Sequence, residues 1–370
     1  MLLEYLFIAF IVICCIQFCY YFLLFGYFSF IHKNNQKSSF NQPISVLICA
    51  KNEADNLKIS LPLIEKQTYY NFELVLINDG SYDNSLEVME AFKKNTSISV
   101  TIVNVLPNEQ FWGSKKYALT LGIKAAKYKY LLFTDADCVP TSNNWISEMT
   151  SNFSNNYKLI LGYGAYKKIK NSFLNKLIRF ETLLSSVQYF SYSLTGIPYM
   201  GVGRNIAYTK SLFYKANGFA KHMHIKSGDD DLFVNQIATK QNTTICYNNK
   251  AFTISNPKTT FKSWINQKRR HISTAKYYKL HHKFLLGLFF SSQILFILMA
   301  IVLLTTQFNT LITSSLIVIR YLTVYTSLGF SAKKLDEKDL IIFIPLYELF
   351  LIFMQMFIFM KNLISKPSHW

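Results

Sequence analysis

Two aspartates one residue apart, Asp135 and Asp137, close the run Tyr130-Leu131-Leu132-Phe133-Thr134-Asp135-Ala136-Asp137-Cys138-Val139-Pro140. An apolar run of β-formers stopped by Asp, with Pro140 soon after, reads as a buried strand that presents both carboxylates at the rim of a sheet. Mg²⁺ or Mn²⁺ is typically held by one or two carboxylates together with substrate phosphates, so this pair can clamp a metal-bound diphosphate. A polar strand-to-turn junction is the plainer alternative. Asp79 also ends an apolar run and is followed by Gly80-Ser81. A carboxylate on that turn can accept the N3–H of uracil or a similar base edge, or it can cap the next helix. Glu53, just past Ala50-Lys51-Asn52, is placed either to contact the same nucleotide or to be a solvated loop acid.

Basic and acidic clusters add to this set. Gly113-Ser114-Lys115-Lys116 precedes a helical pattern, where backbone donors and the Lys115 ammonium suit a phosphate, although an ordinary helix start reads the same way. Gly228-Asp229-Asp230-Asp231 sets three carboxylates at a helix start. One that faced the sheet rim would be a candidate general base, while an acidic N-terminal cap accounts for the others. Gln267-Lys268-Arg269-Arg270-His271 offers planar donors matched to diphosphate oxygens, or a basic belt beside a membrane.

The elements that must hold these groups alternate. Strands are expected at Ile44 to Ile48, Phe72 to Ile77, Val100 to Val103 and the run ending at Asp135. Helices are expected over about Asp55 to Glu65 (with Pro62 as a possible distortion), Asn84 to Lys93 and Lys115 to Lys127. Helices of this length between strands imply right-handed parallel crossovers and a doubly wound sheet, in which ligands bind beyond the carboxyl ends of the strands. Glu53, Asp79, Asp135 and Asp137 all fall at those ends. Beyond Pro140, Phe173 to Leu194 is amphipathic, fitting either a membrane-surface helix or one packed on the sheet. Met200 to Tyr208 is strand-like, and Asp229 to Ala238 opens a helix. There is no internal repeat or low-complexity tract.

Composition places this unit at a membrane. Of 370 residues 51% are hydrophobic, and the apolar residues are bunched. Leu2 to Ile31 carries only Glu4 as a charge, Phe284 to Ile319 carries none, and Leu340 to Met360 carries only Glu348. These runs reach the roughly 20 residues that a crossing requires. The first lacks preceding basic residues and a small-x-small cleavage site, so it reads as an uncleaved anchor. The segment from Phe284 reads as a hairpin broken near Thr305-Thr306-Gln307-Phe308-Asn309, with Arg320 inside its second helix, and Leu340 to Met360 as a further span or a re-entrant segment kinked at Pro345. His32, Lys33 and Lys37, with a basic middle region, place that region in the cytoplasm. Lys361 and Lys366 fit poorly outside the membrane. The organisation is therefore an anchor (1–31), a catalytic unit (43–260) after the polar linker Ser38 to Pro43, a basic interfacial segment (261–283) and C-terminal membrane helices (284–360). The net charge of +18 suits anionic lipid and an anionic nucleotide substrate; no nucleic-acid motif accompanies it. The spacing of the six cysteines gives no zinc site, and a reduced compartment is expected.

In this order the residues resemble a membrane-bound glycosyltransferase of family 2, with the GT-A fold of the cellulose synthase, hyaluronan synthase and ceramide glucosyltransferase relatives. The resemblance covers about Pro43 to His271. It implies that Glu53 and Asp79 hold the nucleotide, that Asp135 and Asp137 hold the metal (Mg²⁺ or Mn²⁺) and diphosphate, and that Asp230 is the catalytic base with Asp229 its partner, or Asp229 the base in a shifted register. Gln267, Arg270 and His271 resemble the family's Gln-x-x-Arg-Trp on the donor, with His271 a departure that touches acceptor identity and processivity. Gly203-Arg204-Asn205 resembles the acceptor-facing segment. The expected function is inverting transfer from a nucleotide-sugar, a UDP-sugar favoured, to a hydroxyl of a lipid or saccharide. The rivals are a polyprenyl-phosphate sugar transferase and a non-catalytic membrane scaffold.

Overall fold

The computed structural model describes residues 1–31, 40–106, 115–225 and 227–365. Gly113 and Ser114 of the expected phosphate loop, the basic residues 32, 33 and 37, part of the linker at 38–43, and Lys366 lie outside them. The chain opens with α1 (Leu2–Phe18), which continues through a π-helical turn (Cys19–Leu24) into α2 (Gly26–Phe30). The expected catalytic unit then follows as β1 (Ile44–Ala50), α3 (Ala54–Glu65), β2 (Phe72–Asn78), α4 (Ser85–Asn95), β3 (Ser99–Asn104), α5 (Lys115–Ala125), β4 (Tyr130–Asp135) and β5 (Cys138–Pro140). Its second half holds α6 (Trp145–Thr150), β6 (Leu159–Leu161), β7 (Gly164–Tyr166), α7 (Phe173–Leu194), β8 (Ile206–Thr209), α8 (Lys210–Lys215), α9 (Asp231–Ile237), β9 (Thr243–Ile245), β10 (Thr253–Ser255) and α10 (Phe261–Ile272). The long helices α11 (Leu280–Thr305), α12 (Thr310–Lys334) and α13 (Ile344–Ile364) complete it.

Strands β1, β2 and β4 read as nearly unbroken apolar runs because the sheet is covered on both faces there, while β3 at the edge is only partly buried. Along β1 the side chains alternate between two cores: Ile44, Val46 and Ile48 pack with Leu57, Leu61 and Ile64 of α3, and Leu47 points to the opposite core with Ala118 and Ile123 of α5. The sheet has seven strands in the order β3-β2-β1-β4-β8-β6-β9. Its first four are parallel as expected, whereas β8 runs antiparallel to both β4 and β6. A small second sheet, β5-β10-β7, stands beside it. The strand expected over Met200 to Tyr208 is shorter: a 3-10 turn at Gly203–Asn205 precedes β8. The helix expected from Asp229 starts at Asp231, and α3 passes through Pro62 to Glu65.

Of the two readings of Phe173 to Leu194, the packed one holds. Along α7, Leu177, Phe180, Leu183, Val187 and Phe190 are buried in the core that joins the sheet to the membrane helices. Phe190 meets Phe28 of α2, and the Tyr189 hydroxyl donates to the Gly162 carbonyl at 2.8 Å. Arg179 is buried between Glu337 and Asp339, which lie just after α12. Among the described residues four helices are long and apolar enough to cross a membrane: Leu2–Phe30, Leu280–Thr305, Thr310–Lys334 and Lys338–Ile364. The hairpin between α11 and α12 turns at Gln307 and Asn309, both with left-handed backbone. Pro345 does not kink a helix. A 3-10 turn at Lys338–Phe343 comes first, and Pro345 then occupies the opening turn of α13, where its missing N–H costs nothing.

Candidate active site

Register sets the site. Ala50 pairs with Asn78, and Cys49 with Asp135, so β1, β2 and β4 end flush. The loops beyond them are stitched together by short polar side chains. Asn52, in the left-handed region at φ 58, donates its N–H to Ser81 Oγ at 3.0 Å and accepts from Tyr82 N at 2.8 Å. Glu53 N donates to Ser85 Oγ at 2.9 Å and Ala54 N to Asp83 Oδ2 at 3.0 Å. This fixes Glu53 and Asp79 at the rim. Burial raises the Asp79 carboxyl, with Lys51 and Lys115 opposing. Glu53 accepts from Asn56 at 2.5 Å. Its pKa is also raised, first by burial and then by the charges of Asp137 and Asp135, with Asn56 and Lys258 opposing.

At the end of β4 the ligand atoms of Asp135, Asp137 and Cys138 lie within 4.8 Å of one another. The two carboxylates are the hard oxygen donors that Mg²⁺ or Mn²⁺ prefers. Cys138 donates to Asp137 Oδ1 at 3.4 Å, and burial holds its thiol well above the ordinary range, so it stays protonated. Asp137 is raised by burial and then by Asp135. Two carboxylates crowded in this way are a site that an added cation stabilises. The donor set therefore fits a divalent metal held by Asp135 and Asp137.

Lys115, the first residue of α5, places its ammonium 2.6 Å from Asp135 and 3.3 Å from Asp229. It thus joins the β4 rim to the acidic triplet. The three aspartates of that triplet diverge. Asp229 faces Lys115. Asp230 accepts from Gly203 N at 2.7 Å and from Asp231 N at 2.7 Å. Asp231 turns away and accepts from Thr274 and from the Tyr278 hydroxyl, which fastens α9 to the segment entering α11. Gly228 precedes them at φ 92, a backbone that favours glycine. Burial, then Asp229 and Asp231, push the Asp230 carboxyl from 3.8 to about 7. Lys115, Asp135, Gly203, Asp229 and Asp230 line one pocket.

Lys116 has no place in the expected site, yet it belongs there structurally. It is 1% exposed, and its ammonium donates to the carbonyls of His222 (2.8 Å), Ile225 (2.8 Å) and Ser227 (2.7 Å), the loop that delivers the triplet. Nothing in the sequence separates it from Lys115, because the division of labour depends on which way each side chain leaves α5.

The basic cluster of α10 splits. Lys268 pairs with Glu181 of α7, and Arg269 reaches α13. His271 is held well below the ordinary histidine range, first by desolvation and then by the charges of Lys268, Arg270, Arg204 and Lys115. The Gln267 carbonyl oxygen is buried without a hydrogen-bond partner among the described residues. Two of the residues expected at the acceptor have partners within the fold. Asn205 is fully buried: its amide donates to the carbonyls of Tyr163 and Ala251 and accepts from Trp145 Nε1, which leaves nothing to offer an acceptor. Arg204 lies over the Tyr166 ring at 4.3 Å and donates to Ser255 Oγ at 2.8 Å, and its positive charge opposes the rise of the Asp137 carboxyl. Gly203 alone of that segment touches Asp230.

The fold is that of a GT-A enzyme, a parallel α/β sheet with carboxylates gathered at its strand ends. A mannosyltransferase from Pyrobaculum calidifontis, solved in complex with GDP-Man and Mn2+, superposes with a TM-score of 0.60 over 90% of this chain and 98% of its own, at 15% identity. Residues 45–217 match the family model described as Glycosyl transferase family 2. It is 31% identical over 156 residues to the poly-beta-1,6-N-acetyl-D-glucosamine synthase of Staphylococcus epidermidis, which covers 41% of this chain and 36% of that protein. It is 36% identical over 100 residues to the glycosyltransferase GlyG of Streptococcus pneumoniae, covering 27% and 32%. The match thus spans about a third of each relative's length.

Proposed function

We propose that this chain is an inverting glycosyltransferase that moves a sugar from a nucleoside-diphosphate sugar to a hydroxyl of a lipid or saccharide acceptor at the cytoplasmic face of a membrane. One observation carries the reading: Lys115 bridges Asp135 and Asp229, so Asp135 of the pair suited to a metal-bound diphosphate shares one pocket with Asp229 and Asp230. Glu53 and Asp79 border the nucleotide end, with Arg270 and Gln267 on the diphosphate. His271 and Gly203 border the acceptor end. Asp230 takes the proton from the acceptor hydroxyl, the freed oxygen forms the new bond to the anomeric carbon, and the bond to the nucleoside diphosphate breaks with inversion. A pKa near 7 suits a base that must be ionised yet still accept a proton. A divalent cation on Asp135 and Asp137 would supply charge neutralisation for the leaving diphosphate.

The name of the staphylococcal relative makes UDP-N-acetylglucosamine the first donor to try. Purified protein in lipid is supplied with UDP-, GDP- and dTDP-sugars, with and without Mg²⁺ or Mn²⁺. Metal-dependent turnover of one donor, lost in Asp137→Ala, is expected. If no donor is turned over or bound, the chain is a scaffold rather than an enzyme.

A further inference from the structure

The helix α13 has 21 residues, about 32 Å at 1.5 Å per residue, enough to span the hydrocarbon core of a bilayer. Its contacts describe another path. At its start Tyr347 packs on Phe180 of α7, with ring centroids 5.4 Å apart. Near its middle Phe350 meets both Phe173 of α7 and Phe261 of α10, at 5.7 and 6.0 Å. At its end Asn362 accepts from Arg269 Nε at 2.8 Å, while Ser365 Oγ and its carbonyl accept from the same guanidinium at 2.8 and 2.6 Å. Tyr347, Phe350, Asn362 and Ser365 of this segment therefore meet the catalytic unit, while Glu348 near its start pairs with Arg320 of α12 and accepts from Tyr21 and Gln293 inside the bundle.

The other long helices behave differently. The turn between α11 and α12 carries Phe308, which meets Phe7 near the start of α1, far along the bundle from the sheet. The opposite end of α12 returns, and Lys334 donates to the carbonyls of Phe28 and Ile31 at the close of α2. Each of these helices has one end at the catalytic unit and one end away from it. On α13 the outward residues Leu346, Phe353, Phe357, Met360 and Ile364 fall at helical spacing on one exposed apolar face. Tyr347, Leu351 and Ile358 are buried on the other.

We propose that α13 does not cross: from Glu348 against the bundle it returns to the catalytic unit at Asn362, its outer face in the acyl boundary of the bilayer. The chain then crosses three times, and α13 ends on the side of the catalytic unit. This removes the charge conflict at the tail, because Lys361 then falls on the basic side. It also gives Arg269 a task beside Arg270 and His271: the bonds to Asn362 and Ser365 clamp α10 to a membrane-borne helix.

The test is independent of any transferase activity. Identical protease-cleavable tags are placed before Met1, between Gln307 and Phe308, and after Trp370, in separate variants of the full chain embedded in sealed vesicles. The tag before Met1 reports vesicle orientation. The tag after Trp370 should be protected wherever the other two are cut, and cut wherever they are protected. Cleavage of that tag from the same side as the 307–308 tag overturns the proposal and makes α13 a fourth crossing.

Discussion

Two clusters of opposite charges, one in the cleft and one in the helix bundle, are built on opposite terms. In the cleft, Lys115, Asp135 and Asp229 keep side-chain exposures of 36, 30 and 18%, and one ammonium answers Asp135 and Asp229, with Asp137, Asp230 and Glu53 close by. In the bundle, Arg320 and Glu348 are 3 and 5% exposed and form a charge-matched pair. Glu348 also accepts from Tyr21 at 2.8 Å and from Gln293 at 3.0 Å, while Arg320 donates to Gln17 at 3.0 Å. The bundle has answered its charges with its own groups; the cleft leaves an excess of negative charge that a cation and an incoming hydroxyl proton can answer. The first arrangement makes an architecture, the second a binding site.

The sharpest way to separate them is to remove one carboxylate from each and read activity and stability together. Asp230→Asn should lower turnover by about 10²- to 10⁴-fold, the range for a lost general base, with donor binding retained. Loss of binding as well, measured by titration with the nucleotide-sugar, would take Asp230 out of the base role. Its native stability should not suffer. The folded pKa of about 7 lies above the ordinary carboxylate value of 3.8, so folding takes up a proton between them. That contribution is present below the ordinary value and is lost as pH rises towards 7, so the Asn variant should be the more stable protein above pH 7.

Glu348→Ala should reverse the pattern. It strands the Arg320 guanidinium in the bundle, and breaking a buried pair in this way costs about 3–5 kcal/mol. Thermal unfolding in detergent should show the loss. The double variant Arg320→Leu with Glu348→Leu should recover most of it, because well-packed apolar residues of similar size often replace a buried pair without loss. A double variant as unstable as the single one would mean that the pair contributes more than mutual neutralisation.

Lys116 marks how far the sequence could be read. The strand ends were legible because unbroken apolar runs stop at polar residues, and those stops carry Glu53, Asp79 and Asp135. The strand-like run at Met200 to Tyr208 pointed to β8 but not to its antiparallel direction or short extent, because four residues after a 3-10 turn carry no signal of orientation. Asn205 has the same sequence neighbours whether it faces a ligand or a core, and only the fold around Trp145 decides. Lys116 is the converse, a charged residue that reads as surface and is buried. Lys116→Met should leave three loop carbonyls without their donor and displace Asp230. A displacement of about 1 Å costs up to about 10²-fold in turnover. The expected split is a fall in kcat with the donor KM unchanged; a change in donor KM alone would instead place Lys116 at the nucleotide.

The smallest effect tests the excess of negative charge directly. Burial is the largest cause of the raised Asp230 pKa, and Asp229 is the next. For the free enzyme the acid limb of kcat/KM should therefore fall near pH 7, with activity rising as Asp230 loses its proton. Asp229→Asn removes the like charge but not the burial. The limb should move below pH 7 and stay above the ordinary carboxylate value, while in Glu348→Ala it should not move at all. If the Asp229 variant leaves the limb in place, the crowding of carboxylates is not what tunes the base. The contrast between a cleft with charge to spare and a bundle with none would then rest on burial alone.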